Sequence, residues 1–211
     1  MKSLFFIVGI FITWSVNAQN YPFAKQFVPG TITLNDATQK KGLIKWFPSP
    51  NEKLRFKENE EQEEKFGIAD LQGFATDSLQ FKTLTNLTVY GEDFALRNKL
   101  SMLPQSFAQI IYTGTINIYY VLYYGFDARQ GCINTYPNII FEKTKDDKQE
   151  YAAFPVLTKM HEKKYEQAKQ NLYPFFSDFP AIQEKLKHYR QNNNIITLVE
   201  FIKKIPDNKN E

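Results

Sequence analysis

The chain has 211 residues, a formal charge of +3, 16% aromatic residues led by 19 Phe and 12 Tyr, and a mean hydropathy of −0.45. That length supports one ordinary domain with a real core, and acids interspersed with bases along the chain give no footprint for nucleic acid, which takes a clustered basic face. Cys132 is the only cysteine, so no disulfide forms within the chain, and a lone thiol of this kind is expected to be buried and inert.

The first element is a leader. Lys2 supplies a positive start, Leu4 to Trp14 an apolar run, and Val16-Asn17-Ala18 a cleavage signal, so residues 1–18 read as a secretory signal peptide and the exported chain is expected to begin at Gln19. The run is too short to span a bilayer core of ~30 Å, no stop-transfer segment follows, and no cysteine near the cut invites a lipid. The expected location is periplasmic or secreted.

Residues 19–156 read as a β-rich domain. Thr31 to Leu34 alternates polar and apolar, Asn35-Asp36 signals a turn, and Lys41 to Trp46 resumes the pattern, which together predict a hairpin. Pro48 to Asn51 breaks the chain before a third strand at Lys53 to Lys57, where Leu54 and Phe56 share one face and the bases the other. Glu58 to Lys65 reads as a solvated loop, Ile68 to Leu71 as a short turn, and Ala75 to Leu84 as one further strand. Ser106 to Tyr112 is apolar. Thr115 to Phe126 reads as a long central strand, with Ile116, Ile118, Tyr120, Leu122, Tyr124 and Phe126 on one face and Asn117, Tyr119, Val121 and Tyr123 on the other. Asn138 to Lys143 and Tyr151 to Phe154 pair across the polar turn at 145–148.

From Thr158 the period becomes helical. Thr158 caps a helix over Lys159 to Tyr173, Pro180 opens a second carrying Ile182, Leu186 and Tyr189, and a third runs from Ile195 to Ile205 until Pro206 stops it. Residues 157–206 are thus a helical segment packed on the β domain, and 207–211 a polar tail. Strands followed by helices predict an α+β fold, an antiparallel β-sandwich or partly open barrel with two or three C-terminal helices.

Chemistry-bearing patterns are sparse. No nucleophile elbow, phosphate loop or zinc-binding helix occurs, and the two histidines, His161 and His188, read as surface residues; no cofactor or metal is expected. The acids Asp70, Glu92, Asp93 and Asp127 are the material for a hydrolase built from dispersed carboxylates, possible in number and unsupported by spacing. Tyr119 and Tyr123, on one strand face with Val121 between, are the candidate ligand-binding residues, whose rings offer a platform for a sugar or a peptide.

Several pieces together resemble a group of uncharacterised exported proteins of Bacteroidota. They are Gly30-Thr31-Ile32-Thr33-Leu34, Lys41-Gly42-Leu43-Ile44, Leu54-Arg55-Phe56-Lys57, Ala69 to Phe74, the tyrosine-rich strand, Phe179-Pro180-Ala181-Ile182 and Leu198 to Ile202. The resemblance implies an exported β-rich module with C-terminal helices and no catalytic residues to carry over. It also implies a modification site, since Asp77-Ser78-Leu79 resembles the short Asp-Ser/Thr-apolar acceptor pattern for O-glycosylation of that phylum's envelope, with Ser78 the candidate acceptor. The expected role is a binding or interaction module for a protein or glycan of the envelope. A carbohydrate-active or other hydrolase is the rival.

Overall fold

The structure is a computed structural model that describes residues 21–49, 52–59, 62–92, 98–127, 132–156, 162–190 and 195–205. The leader and its cut site, Asp93, Thr158, His161 and the side chains of Glu92, Asp127 and Cys132 lie outside what is described.

Among the described residues ten antiparallel strands form one open sheet, and three α-helices follow them, so the fold is α+β. The strands are β1 (Val28–Leu34), β2 (Gln39–Lys45), β3 (Leu54–Lys57), β4 (Glu63–Phe66), β5 (Leu71–Thr76), β6 (Gln80–Glu92), β7 (Asn98–Tyr112), β8 (Asn117–Asp127), β9 (Cys132–Lys145) and β10 (Lys148–Pro155). Their order across the sheet is β10-β9-β8-β7-β6-β5-β1-β2-β3-β4. Of the two forms expected, a sandwich or a partly open barrel, neither two separate sheets nor a closed barrel is formed: the described strands make one continuous open sheet.

Two readings change with it. Glu63 to Lys65, expected as the end of a loop, form the edge strand β4 with Phe66, because pairing with β3 sets Glu63 beside Lys57 and Glu64 beside Phe56, and Arg55 grips Glu63 at 2.7 and 2.6 Å. The expected strand over 75–84 breaks into β5 and β6 at a tight turn in which the Thr76 amide donates to the Leu79 carbonyl at 2.8 Å.

The sheet's two halves bury two cores. In the first, β1 to β5 turn Ile32, Ile44, Leu54, Phe56 and Phe74 to one side, and a single helical turn, α1 (Pro22–Lys25), sets fully buried Phe23 on them. Gly42 is required there. A Cβ at that position would lie 2.8 Å from the Phe56 ring and 2.2 Å from the Lys57 carbonyl oxygen.

The second half rolls up until β6 lies against β10. Asn86, at φ 56°, interrupts β6 between the paired rows Thr85–Gln105 and Leu87–Leu103. Asparagine tolerates this left-handed conformation, and the reset of alternation lets Leu84 and Leu87 both be buried. The roll is tied by buried Asn138 of β9, whose amide accepts from the Tyr90 N–H at 2.8 Å and donates to the Tyr90 carbonyl at 3.0 Å, as a neighbouring strand would. Helices α2 (Glu162–Leu172), α3 (Pro180–His188) and α4 (Ile195–Ile202) share this core with β9 and β10, where Phe141 meets Phe176 and Phe154 meets Tyr165 and Tyr189 edge to face. No helix of the described residues is long and apolar enough to cross a membrane.

Candidate aromatic cleft between the two cores

The first core meets the outer face of β8 across a cleft of about 460 Å³. Tyr21 arrives from the entry to α1, Trp46 and Pro48 from the end of β2, Phe107 from β7, and Tyr120 and Tyr124 from β8. Period-2 alternation places Tyr120 and Tyr124 on the same face of their strand.

Trp46 is wedged among rings. Phe107 stands edge-on at 5.3 Å, Phe74 at 5.5 Å and Phe81 at 5.8 Å, and the Trp46 backbone N–H donates to the Phe23 carbonyl at 2.9 Å. The indole is thus fixed, with 7% exposure, and its Nε1 is buried with no hydrogen-bond partner. Tyr120, 5% exposed, has a hydroxyl in the same condition. Around them the hydroxyls are engaged: Tyr21 donates to Gln109 Oε1 at 2.7 Å and Tyr124 donates to the Pro48 carbonyl. Burial pushes the Tyr21 phenol up to about 12. Burial, and then the nearby phenols, push Tyr120 and Tyr124 further up, so all three remain protonated at neutral pH. The cleft therefore combines apolar walls with two fixed, unanswered donors, and the phenol oxygens keep lone pairs to accept with. Of the described residues that line it, Glu52 is the one carboxylate and Lys53 the one cation.

A second polar cluster lies inside the roll. Glu142 of β9, 2% exposed, sits in one cross-strand row with Asn117 of β8 and Tyr151 of β10. It accepts from the Tyr119 hydroxyl at 2.5 Å, the Asn117 amide at 2.8 Å and the Tyr151 hydroxyl at 3.1 Å, with Lys82 Nζ at 3.6 Å. Burial pushes this carboxyl up, but the Tyr119 and Asn117 hydrogen bonds, Lys82 and Tyr151 outweigh it and hold the group below the ordinary range. Burial, the hydrogen bond to Glu142 and its charge push Tyr119 up, so its phenol stays a donor. Every oxygen of Glu142 is answered, which is the chemistry of a structural tie.

The residues singled out in the sequence are scattered. Tyr119 is 3% exposed and committed to Glu142, while Tyr123 is half-buried, tilted against Tyr136 at 6.2 Å, and borders the cleft. Tyr120, Tyr123 and Tyr124 of this strand line the cleft, Tyr123 and Tyr124 half-buried and Tyr120 buried in its wall. Ser78 is exposed at the β5–β6 turn. Asp70 is exposed and accepts from the Gly67 N–H at 2.7 Å, capping a short 3-10 turn. His188 is on the surface of α3, 3.1 Å from Glu184. Nothing in the sequence marks Trp46 and Tyr21 as the lining of one cleft, because their partners lie in remote segments. Comparison with protein-family models, with curated proteins and with solved structures finds no match for this chain.

Proposed function

We propose that this is an exported envelope protein that binds rather than catalyses, and that the aromatic cleft receives a small uncharged ligand presenting hydrogen-bond acceptors. The observation that carries the reading is the pair of unanswered donors, Trp46 Nε1 and the Tyr120 hydroxyl, in the wall of one cleft. Leaving a buried donor unpaired costs about 1–3 kcal/mol, and a bound acceptor removes that cost. The apolar walls favour a ligand with a flat or ring-shaped apolar face. An ion would gain little there, with Glu52 and Lys53 the only charged side chains among the described lining. A hydrolytic site built on two carboxylates would need a second acid beside Glu52.

Two measurements test it. Mass spectrometry of the exported protein is expected to show a chain beginning at Gln19, and retention of Met1 would remove the export half of the reading. The chain has two tryptophans, Trp14 in the leader and Trp46, so the processed protein reports on the cleft through one indole. Titration with a panel of neutral oligosaccharides, short peptides and long-chain amides is expected to give a saturable change in its emission with one class. Tyr120→Phe, which keeps the ring, should then weaken that binding by about tenfold, the equivalent of ~1.4 kcal/mol. If no member of the panel changed the emission and Tyr120→Phe raised the melting temperature, the cleft would be a packed seam without a ligand.

A further inference from the structure

The acids and bases that alternate along the first third of the chain are sorted by the sheet. In β1 to β4 the residues opposite the first core form cross-strand rows: Thr31 with Lys41, Pro29 with Leu43, Lys57 and Glu63, and Lys45 with Arg55 and Lys65. Phe27 extends the last row, with the Arg55 guanidinium 5.3 Å and the Lys57 ammonium 5.0 Å from its ring centre. These rows hold five bases, Lys41, Lys45, Arg55, Lys57 and Lys65, against one acid, Glu63. The whole chain carries +3, so this face alone exceeds the molecule's formal charge and the remainder is slightly acidic.

The same face continues past the lysines. Thr31 is opposite Ala75, and Thr33 is opposite Gly73, which is opposite Lys82, so small residues of β1 and β5 floor a shallow depression of about 750 Å³ that ends at Lys82. Six adjacent strands, from β4 to β6, thus present a track with bases at one end, a smooth polar middle and Lys82 at the other. At the usual strand spacing it is roughly 24 Å long. Lys82 is 41% exposed and lies 3.6 Å from a carboxylate already held by three other donors, so it can turn to an anion on the track.

We propose that this face binds a linear acidic polysaccharide, lying across the strands from Lys65 and Arg55 toward Lys82. A polymer with a carboxylate or sulfate on successive sugars answers the cations of β2, β3 and β4 at one end of the track and Lys82 at the other, and its hydroxyls suit the threonine-lined floor between them. The alternatives fit less well. Interface cores between proteins are depleted of lysine. A membrane-docking face inserts large apolar side chains, and the exposed ones of the described residues, Phe47, Leu100, Met102, Ile133 and Ile196, are not in these rows. Single-stranded nucleic acid stacks its bases on bare rings, whereas the one ring here, Phe27, is covered by Arg55 and Lys57.

The test uses the processed protein and oligogalacturonate, with the fully methyl-esterified oligomer as the uncharged match, and an oligothymidylate and phosphatidylglycerol vesicles as competing polyanions. The expected result is saturable binding of the uronate, at least tenfold weaker for the ester and steeply weakened by salt. Replacing Lys45, Lys57 and Lys65 together by Gln should weaken it at least tenfold again with an unchanged melting temperature. Lys185→Gln with Lys187→Gln, on α3, should leave it as it was. Equal binding of ester and acid, unchanged binding by the triple variant, no binding at low salt, or tighter binding of the oligonucleotide or vesicles would each overturn the proposal.

Discussion

Truncation after Asn194 is expected to yield aggregated or strongly destabilised protein, because α4 is a wall of the second core. Ile195, Leu198, Val199 and Ile202 are at most 7% exposed and belong to the same apolar cluster as Leu172, Ile182 and Leu186 of the other helices. Burying each such side chain contributes roughly 1.5–3 kcal/mol, so the four together approach the whole net stability of a domain, about 5–15 kcal/mol. The outer face of α4 adds less, since Ile196 is 44% exposed and Phe201 is half-buried beneath Lys185, at 5.5 Å. Thermal unfolding and size-exclusion chromatography of the truncated chain read the effect. A monomer with the native melting temperature would show that the stripe is not buried, and would make α4 a docking surface instead.

The parts of the fold that sequence reading finds are those whose periodicity is local. β1, β2 and β3 alternate cleanly, and α3 and α4 carry apolar stripes between clear stop signals, so each is visible from its own residues. β4 is hidden because Glu63, Glu64 and Lys65 look like solvated charge, and only the Arg55 partner across the hairpin makes them a strand. The long β6–β7 hairpin is hidden for another reason: Asn86 resets the alternation of one strand and Pro104 interrupts the other, so neither shows a sustained period of two. Sites are harder still, because they are assembled by topology. Tyr21, Trp46 and Tyr120 are drawn from three distant stretches, and Glu142, a charged residue at a strand position, reads as solvent-facing until Asn117 and Tyr151 are seen in its row. The basic face shows the same limit in reverse, since interspersed charge along a chain becomes segregated charge once alternate residues go to opposite faces.

Removing the acceptor inside the roll should be among the most damaging single changes to this protein. Glu142→Leu leaves the Tyr119 and Tyr151 hydroxyls and the Asn117 amide without the oxygen they share, and strands Lys82 beside an apolar side chain. Breaking a buried charge network on one side costs about 3–5 kcal/mol, although Lys82, 41% exposed, can turn to water and lowers that figure. Glu142→Gln keeps an acceptor and the shape, and should cost about 1–3 kcal/mol. The pair separates through pH. The folded protein holds the Glu142 carboxyl below its ordinary value of 4.5, so the unfolded chain binds this proton more readily, and stability falls as pH drops from that value through the folded one. Exposed acids held low by ion pairs, Glu63, Asp178 and Glu184, add to the same acid limb, but solvent screens them. Urea unfolding from pH 7 to pH 3 should therefore show a shallower acid loss for Glu142→Gln than for the native chain, with the two curves converging at the acid end. Parallel curves over that range would mean that Glu142 binds its proton equally well folded and unfolded, and a steeper acid loss for Glu142→Gln than for the native chain would mean that the tie inside the roll holds a neutral carboxyl.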